Sequence, residues 1–385
     1  MRVLLVSHEA SRSGAPRVAA MVARTLAASG HEVRVVSRVP GPLLADLASA
    51  APTSVEPLHR VRRRVRRQKG LGRAGLVLDT ALAALMLLLH RPDLVYVNST
   101  AAAVYLRPAL WLRLPTVLHV HESAEVATFF LARDRAPRLL RGITLVACSP
   151  SVRTDLTTLS DQRPEDLVLL PSVPDDDAVV RLAAEPLDLA YGSSELVVGC
   201  CGSVERRKGP DLWVEAAQRV RAALPDRPLR FVWLGDLDGP VPGAAEAGAE
   251  FCGPSANPYP HMRRFDIATL PSRDDPFPLV VLESMLLGTP VVAFDVGGVA
   301  QQIGDAGRLA PAGDVEAFAG AVTDLLVDDD ERGRLGAAAA ARVDELYSSR
   351  AFAEQLAEVV DGALGGGTGQ GPARVPAGER TAAGR

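Results

Sequence analysis

The chain has 385 residues, of which 48% are apolar and 23% are charged, so it is expected to be a globular protein of two domains. A net charge of −4 argues against a general nucleic-acid binder, and four cysteines without a C-x-x-C pair exclude a disulfide framework and a zinc-site spacing. The total hides an asymmetry, because residues 1–160 carry 22 Lys/Arg and 10 Asp/Glu (net +12), whereas the other 225 carry 20 and 36 (net −16). The two halves are therefore expected to face different partners.

The N-terminus opens with a short apolar run, Val3–Val6, which predicts a buried strand rather than a signal peptide. The longest apolar stretch, Leu76–Leu89, is interrupted by Asp79 and Thr80 and is shorter than the roughly 20 residues of a membrane span. We therefore expect a cytoplasmic protein with free thiols, soluble or at most peripheral at the inner face of the membrane.

Short runs rich in Val, Leu and Ile alternate with Ala-rich helical stretches along most of the chain. The predicted strands are Val3–Val6, Val33–Val36, Leu94–Val97, Thr116–Val120, Thr144–Ala147, Leu167–Leu170, Val197–Cys201, Arg230–Leu234, Ile267–Leu270 and Pro290–Phe294. The predicted helices include Ala15–Ser29, Asp211–Ala223, Val280–Leu287 and Val315–Leu326. Continuous apolar runs are typical of parallel strands covered on both faces, so the predicted fold class is α/β with parallel sheets.

The pattern restarts near residue 195, after a hinge-like stretch at 183–194 that contains Pro, Gly and Ser. The run LVVGCCGSVERRKG mirrors the opening LLVSHEASRSGAP, because each is a buried strand followed by a Gly- and Ser-containing loop and a helix. We predict two Rossmann-like, doubly wound domains facing a cleft, with ligands outside the carboxyl ends of the strands. The expected ranges are 1–190 and 191–343 for the domains, 344–364 for a terminal helix and 365–385 for a disordered tail.

The most informative segment is PSRDDPFPLVVLESMLLGTPVVAF, residues 271–294. A loop with Asp274 and Asp275 leads into a helix that Pro278 is expected to open, since its missing N–H costs nothing at the first helical position. The next three backbone N–H groups are predicted to form an anion site suited to a phosphate. These groups belong to Leu279, Val280 and Val281. Asp275 and Glu283 flank this site as acceptors for sugar or ribose hydroxyls.

This segment resembles the signature of the retaining GT-B glycosyltransferases of group 1, also called family GT4, in which two acids lie eight residues apart. Here the acids are Asp275, one methylene shorter than the usual Glu, and Glu283, and Phe277-Pro278 matches the pair that follows the first acid. The resemblance implies that Asp275 binds donor-sugar hydroxyls and that Glu283 binds the ribose. It also implies an acceptor-side N-terminal domain and a nucleotide-sugar-binding C-terminal domain. A simple helix cap is the alternative for Asp275.

A second site is predicted at CGSVERRKG, residues 201–209, where a strand, a Gly turn and three cations precede a helix. It is similar to the family's G-R-x-x-x-x-K-G loop, whose Arg and Lys neutralise the donor diphosphate. The matching residues are Gly202, Lys208 and Gly209. Ser203 replaces the usual Arg, so Arg207 or Arg206 is expected to supply the second cation. A solvated surface turn is the alternative reading.

In the first half, the strand that begins at Thr116 ends in His119-Val120-His121-Glu122. The resemblance implies a histidine there that faces the donor sugar across the cleft, and His121 fits by position, with His119 as a rival and a packed core histidine as the alternative. Gly14 matches the Gly-bearing loop after the first strand, where backbone N–H groups approach the donor phosphate or the acceptor. This loop is not a G-x-G-x-x-G fingerprint, which disfavours a dehydrogenase.

The run HRVRRRVRRQK, His59–Lys69, has seven Lys/Arg and no acid and explains much of the positive charge of the first half. Contact with an anionic membrane or with an acidic acceptor is one expectation, and a solvated loop or helix face is the other. Nucleic acid is not expected as a partner, because Trp, Tyr and Phe together make up only 4% of the chain.

The resemblance implies transfer of a sugar from a UDP- or GDP-type nucleotide sugar to a glycan, lipid-linked or small-molecule acceptor, with retention, as in cell-wall or polysaccharide synthesis. The expected catalytic residues are His121, Lys208 and Asp275. Cationic side chains and a helix N-terminus would stabilise the leaving diphosphate, so no metal or other cofactor is expected, and Asp236-Leu237-Asp238 is interpreted as a solvated turn. A nucleotide-sugar epimerase or phosphorylase, and a non-catalytic partner subunit, are the alternatives.

Overall fold

The computed structural model describes residues 1–67, 72–237 and 239–365, without the side chains at 63, 66 and 67. These residues form two compact α/β units, each built on one parallel sheet, which confirms the predicted fold class. The N-terminal unit comprises Met1–Val173 and the described residues from Phe352 onward, and the C-terminal unit comprises Pro174–Ala351. The end of the basic run, Asp238 and the tail after residue 365 lie outside the described residues.

The sheet of the N-terminal unit has seven strands. They are β1 Arg2–Ser7, β2 Glu32–Ser37, β3 Thr53–Val55, β4 Leu94–Asn98, β5 Thr116–Val120, β6 Thr144–Ala147 and β7 Val168–Leu169. The strands pair in parallel in the order β3-β2-β1-β4-β5-β6-β7, so the order reverses between β1 and β4. All five residues of β4 and of β5 are buried, as expected for strands covered on both faces.

The helices of this unit follow the strands in the usual βα alternation. They are α1 Gly14–Ala28, α2 Leu44–Ala50, α3 His59–Arg67, α4 Gly72–His90, α5 Leu106–Trp111, α6 Ala124–Arg133 and α7 Pro150–Ser160, with short 3-10 helices at Thr100–Tyr105, Pro137–Gly142 and Pro164–Asp166. Their apolar faces explain their positions, since α1 buries Val18, Val22 and Leu26 at a four-residue spacing. Ser149 caps α7, because its Oγ accepts the N–H of Val152 at 3.2 Å.

The C-terminal unit repeats this design with six strands. They are β8 Leu196–Cys201, β9 Leu229–Leu234, β10 Ala249–Phe251, β11 Ile267–Leu270, β12 Val291–Phe294 and β13 Gly307–Ala310, in the order β10-β9-β8-β11-β12-β13. The helices are α8 Asp176–Leu182, α9 Pro210–Ala223, α10 Tyr259–Arg264, α11 Leu279–Leu286, α12 Val299–Ile303, α13 Val315–Val327 and α14 Asp329–Leu346, with a 3-10 helix at Arg206–Lys208. The order matches that of the first six strands of the other sheet, which agrees with the restart of the pattern near residue 195.

Three short strands were not predicted: β3, β10 and β13. Each has only three or four residues, and each lies at the edge of its sheet. An edge strand is paired on one side only, so it needs no continuous apolar run. The predicted strands all form, with ends that differ by at most one residue.

The division between the units lies at Val173–Pro174, earlier than the expected boundary at 190. The reason is α8, which packs against α10 and α11 and is linked to Asn257, whose Nδ2 donates to the carbonyl of Leu182 at 2.9 Å. The expected terminal helix 344–364 is instead the end of α14 followed by a separate helix, α15 Ser349–Leu364. Helix α14 ends before Tyr347, which has non-helical φ and ψ of −129° and 18°.

A buried ion-pair network fixes α3 and α4 to the rest of the N-terminal unit. Arg38 and Arg62 are 5% and 6% exposed, and Glu56 and Asp79 are 0% and 2% exposed. Arg62 lies 2.8 Å from Glu56 and 3.4 Å from Asp79, and Arg38 lies 3.4 Å from each of the two carboxylates. Arg62 therefore points inward, so the basic run is not a uniformly solvated helix face.

Helix α4 is longer than the apolar stretch that predicts it. Its 19 residues make it the one helix in the described ranges that is long and apolar enough to cross a membrane, which corrects the expectation that this segment is too short. One of its sides is nevertheless packed into the N-terminal unit, with Leu82, Met86 and Leu87 buried. Asp79 on that side belongs to the ion-pair network. The helix is therefore an integral layer of the α/β unit.

His119, the predicted rival of His121, is a packed core histidine. Its side chain is 0% exposed, Nδ1 lies 2.9 Å from the Tyr96 hydroxyl, and Nε2 lies 3.1 Å from the Leu170 carbonyl oxygen. This network assigns the proton to Nε2, which donates to the carbonyl, while the tyrosine hydroxyl donates to Nδ1. Burial lowers the pKa of His119 to about 3. Both ring nitrogens are thus occupied within the core, and His119 is not a ligand-facing residue.

We expect His119 to reduce the stability of the protein on acidification. Its pKa is lowered by folding, so the unfolded chain takes up a proton near pH 6.5 that the folded chain does not bind until about pH 3. Between pH 7 and pH 5 this one group should lower the free energy of unfolding by about 2 kcal/mol. His119→Gln, whose amide can form both hydrogen bonds, should lose this part of the pH dependence in urea unfolding. His31→Gln is the control, and an unchanged pH slope in His119→Gln would contradict the effect of burial.

Candidate active site

The two predicted donor loops follow the two strands at the point where the order of the C-terminal sheet reverses. Strands β8 and β11 are paired neighbours there, and the loops after them contain residues 202–209 and 271–278. The carboxyl ends of parallel strands lie at one edge of the sheet, and ligands bind at this switch point in doubly wound folds. The fold therefore brings Lys208 and Asp275, 67 positions apart, into contact.

Glycines allow these loops to pack backbone against backbone. At Gly209, with φ of 71°, a Cβ atom would lie 2.1 Å from the carbonyl oxygen of Pro271. At Gly297, with φ of 55°, it would lie 1.9 Å from the carbonyl oxygen of Asp275. Both the space and the left-handed backbone require glycine at these positions. The loops after β8, β11 and β12 therefore hold one another in place.

Lys208 and Asp275 form the central ion pair of this edge. Lys208 Nζ lies 2.5 Å from Asp275 Oδ2, and Arg207 Nη1 lies 3.6 Å from the same oxygen. Arg207 Nη1 also donates to the Asp274 carbonyl at 2.9 Å, and its Nη2 lies 2.9 Å from Glu205. Asp275 is 6% exposed, so the cations balance a charge that is largely removed from water. No side chain caps α11, so the alternative role of Asp275 as a helix cap does not hold.

Helix α11 begins at Leu279, and Pro278 is its N-cap, with an extended ψ of 118°. Pro278 therefore lies one position before the predicted first turn. The N–H of Val281 donates to the Pro278 carbonyl at 3.2 Å, so it is not available to a ligand as predicted. Within the described ranges, the N–H groups of Leu279 and Val280 have no hydrogen-bond partner. Two of the three expected donors remain at the positive end of this helix.

Glu283 lies one turn into α11 and is 4% exposed. Its Oε1 accepts a hydrogen bond from the Tyr259 hydroxyl at 3.1 Å. Tyr259 is the first residue of α10, which packs against α11. This hydrogen bond orients a buried carboxylate, and an oriented carboxylate is a strong acceptor for hydroxyl groups.

The other predicted donor-loop residues differ in their surroundings. Ser203 and Arg206 are exposed, and it is Arg207 rather than Arg206 that reaches Asp275. Phe277 is 7% exposed and packs on Tyr347, with ring centroids 5.9 Å apart. Phe277 therefore holds the loop against the C-terminal unit. Asp236 of the D-x-D sequence is exposed, as expected for a solvated turn.

In the N-terminal unit, His121 directly follows β5 at the carboxyl edge of the sheet. Its Nε2 lies 3.0 Å from Asn98 Oδ1, and its Nδ1 lies 3.3 Å from Ser172 Oγ. Burial lowers the pKa of His121 well below its ordinary value, with a smaller effect from two neighbouring histidines. The imidazole is therefore neutral near pH 7, with Nε2–H donating to Asn98 and Nδ1 accepting from Ser172.

Gly14 is the first residue of α1 and is exposed. Its φ is not left-handed, and a Cβ atom would meet no atom within 4 Å. Gly14 therefore lies next to open space at the start of α1, and its backbone conformation does not require glycine. Asn98 connects it to His121, because Asn98 Nδ2 donates to the Ala15 carbonyl at 2.7 Å.

Several residues that shape the two edges were not predicted. Asn98 ends β4 and Gly297 follows β12, so a search for polar or Gly residues after each strand would have found both. Tyr259 and Ser172 follow no such rule, because their contacts with Glu283 and His121 depend on the tertiary packing of distant segments.

Two family models match this chain. Glycosyltransferase Family 4 matches residues 12–177, and Glycosyl transferases group 1 matches residues 195–328. Together they span most of the chain. The first match lies almost entirely in the N-terminal unit, and the second lies within the C-terminal unit, where it includes both predicted donor loops.

Curated relatives agree with this assignment. The chain is 30% identical over 263 residues to D-inositol 3-phosphate glycosyltransferase of Corynebacterium aurimucosum, which covers 64% of this chain and 57% of the relative. It is 29% identical over 279 residues to the protein of the same name from Jonesia denitrificans, covering 63% of this chain and 65% of the relative. The matched region therefore spans less than two thirds of the length of either relative.

Solved structures with the same fold cover nearly the whole chain. Anabaena HepE in complex with UDP and glucose has a TM-score of 0.73 at 19% identity and covers 94% of this chain and 99% of that one. WaaG, a glycosyltransferase involved in lipopolysaccharide biosynthesis, has a TM-score of 0.69 at 19% identity, with 94% and 100% covered. At this identity the likeness establishes the GT-B fold. With the family matches in both units, it follows that the chain belongs to the group 1 glycosyltransferases of family GT4.

Proposed function

We propose that the protein transfers a sugar from a nucleoside-diphosphate sugar to an acceptor hydroxyl with retention of the anomeric configuration. The observation that carries this proposal is the Lys208–Asp275 pair at 2.5 Å beside the two unpartnered N–H groups at the start of α11. A diphosphate needs positive charge and N–H donors, and a sugar needs carboxylate acceptors. The cations and N–H donors lie together with the carboxylate acceptors at one edge of the C-terminal sheet.

In this reaction the bond between the sugar C1 and the diphosphate oxygen breaks, and a bond between C1 and the acceptor oxygen forms. Negative charge grows on the leaving diphosphate, and the hydroxyl proton of the acceptor passes to it. Lys208, Arg207 and the N–H groups of Leu279 and Val280 stabilise that charge. Asp275 accepts from the hydroxyls of the sugar, and Glu283 accepts from those of the ribose. His121 of the N-terminal unit can take part only by giving up one of its two hydrogen bonds, to Asn98 or to Ser172.

UDP-sugars are the first donors to test, because HepE was solved with UDP-glucose. The curated relatives are named for D-inositol 3-phosphate, which favours a phosphorylated polyol among the glycan, lipid-linked and small-molecule acceptors. An acceptor with negative charge also suits the net +12 of residues 1–160. We place the enzyme in the cytoplasm, in contact with an anionic membrane through the basic run.

We expect UDP-sugars, or failing these GDP-sugars, to raise the melting temperature of the full chain. Glu283→Ala should weaken this binding about 10- to 100-fold, since a buried charge-assisted acceptor is lost. Glu316→Ala, an acid in the first turn of α13, is the matched control. If no UDP- or GDP-sugar shifts the melting temperature, the donor site is wrongly assigned.

Lys208→Met should lower kcat/KM for sugar transfer about 100-fold or more, because one cation of the leaving-group site is removed. Arg227→Met, an exposed cation in the turn before β9, should leave transfer unchanged.

Product analysis with the best donor separates glycosyl transfer from the alternative functions. Turnover of the donor alone or with phosphate would identify an epimerase or phosphorylase, and binding without turnover would identify a partner subunit.

We propose that the reaction needs no divalent metal, since side-chain cations and N–H groups supply the charge stabilisation. Transfer measured in EDTA should therefore equal transfer measured in Mg²⁺ or Mn²⁺. A loss of activity in EDTA that is restored by either metal would overturn the metal-independent mechanism.

A further inference from the structure

A buried tryptophan near the end of β9 is bonded to the loop that follows β8. Trp233 is 0% exposed, and its Nε1 donates to the Gly202 carbonyl oxygen at 2.7 Å. Its ring stacks on Phe251, with centroids 5.6 Å apart, and makes an edge contact with Trp213 at 5.3 Å. A buried indole needs an acceptor for its N–H, and the aromatic packing fixes where that acceptor lies. The indole therefore holds one carbonyl of the 202–209 loop in a fixed direction.

The backbone of Gly202 is held from the same side by further contacts. Its N–H donates to the Leu234 carbonyl at 2.9 Å, and the N–H of Val204 donates to the Asp236 carbonyl at 2.8 Å. At Gly235 a Cβ atom would lie 1.9 Å from the Gly202 carbonyl oxygen, so this oxygen lies directly against the backbone of the next loop. All of these contacts come from β9 and the loop after it, so they fix the start of the loop after β8 from one side.

The Gly202–Ser203 peptide bond places an N–H on the other side of β8. The peptide is trans, so its C=O and N–H groups point in opposite directions. Strand β9 lies on one side of β8, and β11 lies on the other. Because the Gly202 carbonyl points toward β9, the N–H of Ser203 points toward the side of β11, whose loop contains Asp275. Within the ranges that the structure describes, this N–H has no hydrogen-bond partner.

Lys208 lies beside the same peptide. A Cβ atom on Gly202 would lie 3.8 Å from Lys208 Cε, and Lys208 Nζ lies 2.5 Å from Asp275 Oδ2. Ser203 occupies the position at which the group 1 loop usually has Arg, so its side chain brings no cation. A backbone N–H does not depend on the side chain, and oriented N–H groups bind anions. The Ser203 N–H therefore offers a donor at the place where the usual cation is missing.

We propose that Trp233 is a positioning residue of the donor site, which orients the Gly202–Ser203 peptide so that the Ser203 N–H donates to the donor diphosphate beside Lys208. The N–H then supplies part of the stabilisation that an Arg side chain at this position would give. Because the peptide is held before the donor arrives, no side-chain freedom is lost in forming this hydrogen bond. The inference rests on the proposed function, since it adds a donor to the diphosphate part of that site.

The test is calorimetric titration of the full chain with UDP and with uridine, which lacks the diphosphate. GDP and guanosine replace them if GDP-sugars are the donors. Trp233→Phe keeps an aromatic ring in the core and removes the indole N–H, so it should weaken UDP binding about tenfold and leave uridine binding unchanged. Trp213→Phe is the matched control, because this indole is 1% exposed and donates to Thr269 Oγ1 at 3.0 Å, within the core. It should lose a similar amount of thermal stability and bind both ligands as the wild type does.

Ser203→Pro removes the N–H itself and should weaken UDP binding at least as much as Trp233→Phe does. The inference is overturned if Trp233→Phe keeps the wild-type ratio of UDP to uridine affinity, or if Ser203→Pro binds UDP as the wild type does. It is also overturned if Trp213→Phe changes the ratio as much as Trp233→Phe does, since the effect would then come from core packing.

Glu283→Ala is measured alongside and should weaken the binding of both ligands, because it removes the acceptor for the ribose. If it does so while Trp233→Phe behaves as the wild type, the donor site stands and only the role of Trp233 is wrong. If the wild type binds neither nucleoside diphosphate, the proposed function fails, and the role of Trp233 fails with it.

Discussion

The structure depends on one constraint of parallel sheets, namely that all strands end at the same edge. Each helical connection returns the chain to the amino edge of the sheet. The loops that follow the strands therefore all lie together at the carboxyl edge. Where the strand order reverses, the loops after two neighbouring strands lie side by side, and ligands bind at this position in doubly wound folds. In the C-terminal unit, these are the loops after β8 and β11. Lys208 and Asp275 meet at 2.5 Å because of this topology, although 67 positions separate them in the chain.

The buried carboxylates at this edge each have a hydrogen-bonding or ion-pair partner. The C-terminal unit is rich in acids, yet Asp275 and Glu283 are both nearly buried, and each has a defined partner. A buried carboxylate without a partner would be protonated or would destabilise the fold. Under the proposed function, a donor diphosphate would compete with Asp275 for Lys208 and Arg207.

The sequence was sufficient to predict the parts of the fold that local pattern determines. Runs such as Val3–Val6 and Ile267–Leu270 predict strands, because strands buried on both faces must be apolar throughout. The two loops that contain Lys208 and Asp275 could be singled out in the sequence because their Gly, Pro and charged residues occur at fixed spacings, and the structure brings these loops into contact. The edge strands were not predictable, since three residues such as Thr53–Val55 form a strand only when a neighbour pairs with them. Three features depend on segments that are distant in the chain, so no local pattern predicts them. These are the inward orientation of Arg62, the core position of His119 and the contact of Tyr259 with Glu283.

Helix α15 belongs to the N-terminal unit, although the entire C-terminal unit precedes it in the chain. Phe352, Leu356 and Val360 of this helix are buried. During synthesis, the first 173 residues emerge from the ribosome without the helix that completes their packing, and they must wait for about 180 further residues at a rate of roughly 5–20 residues per second. For some ten seconds or more, apolar surface that α15 later covers is open to chaperones and to neighbouring chains. The N-terminal unit is synthesised first, but it can complete its packing only after the C-terminal unit and α15 have been synthesised.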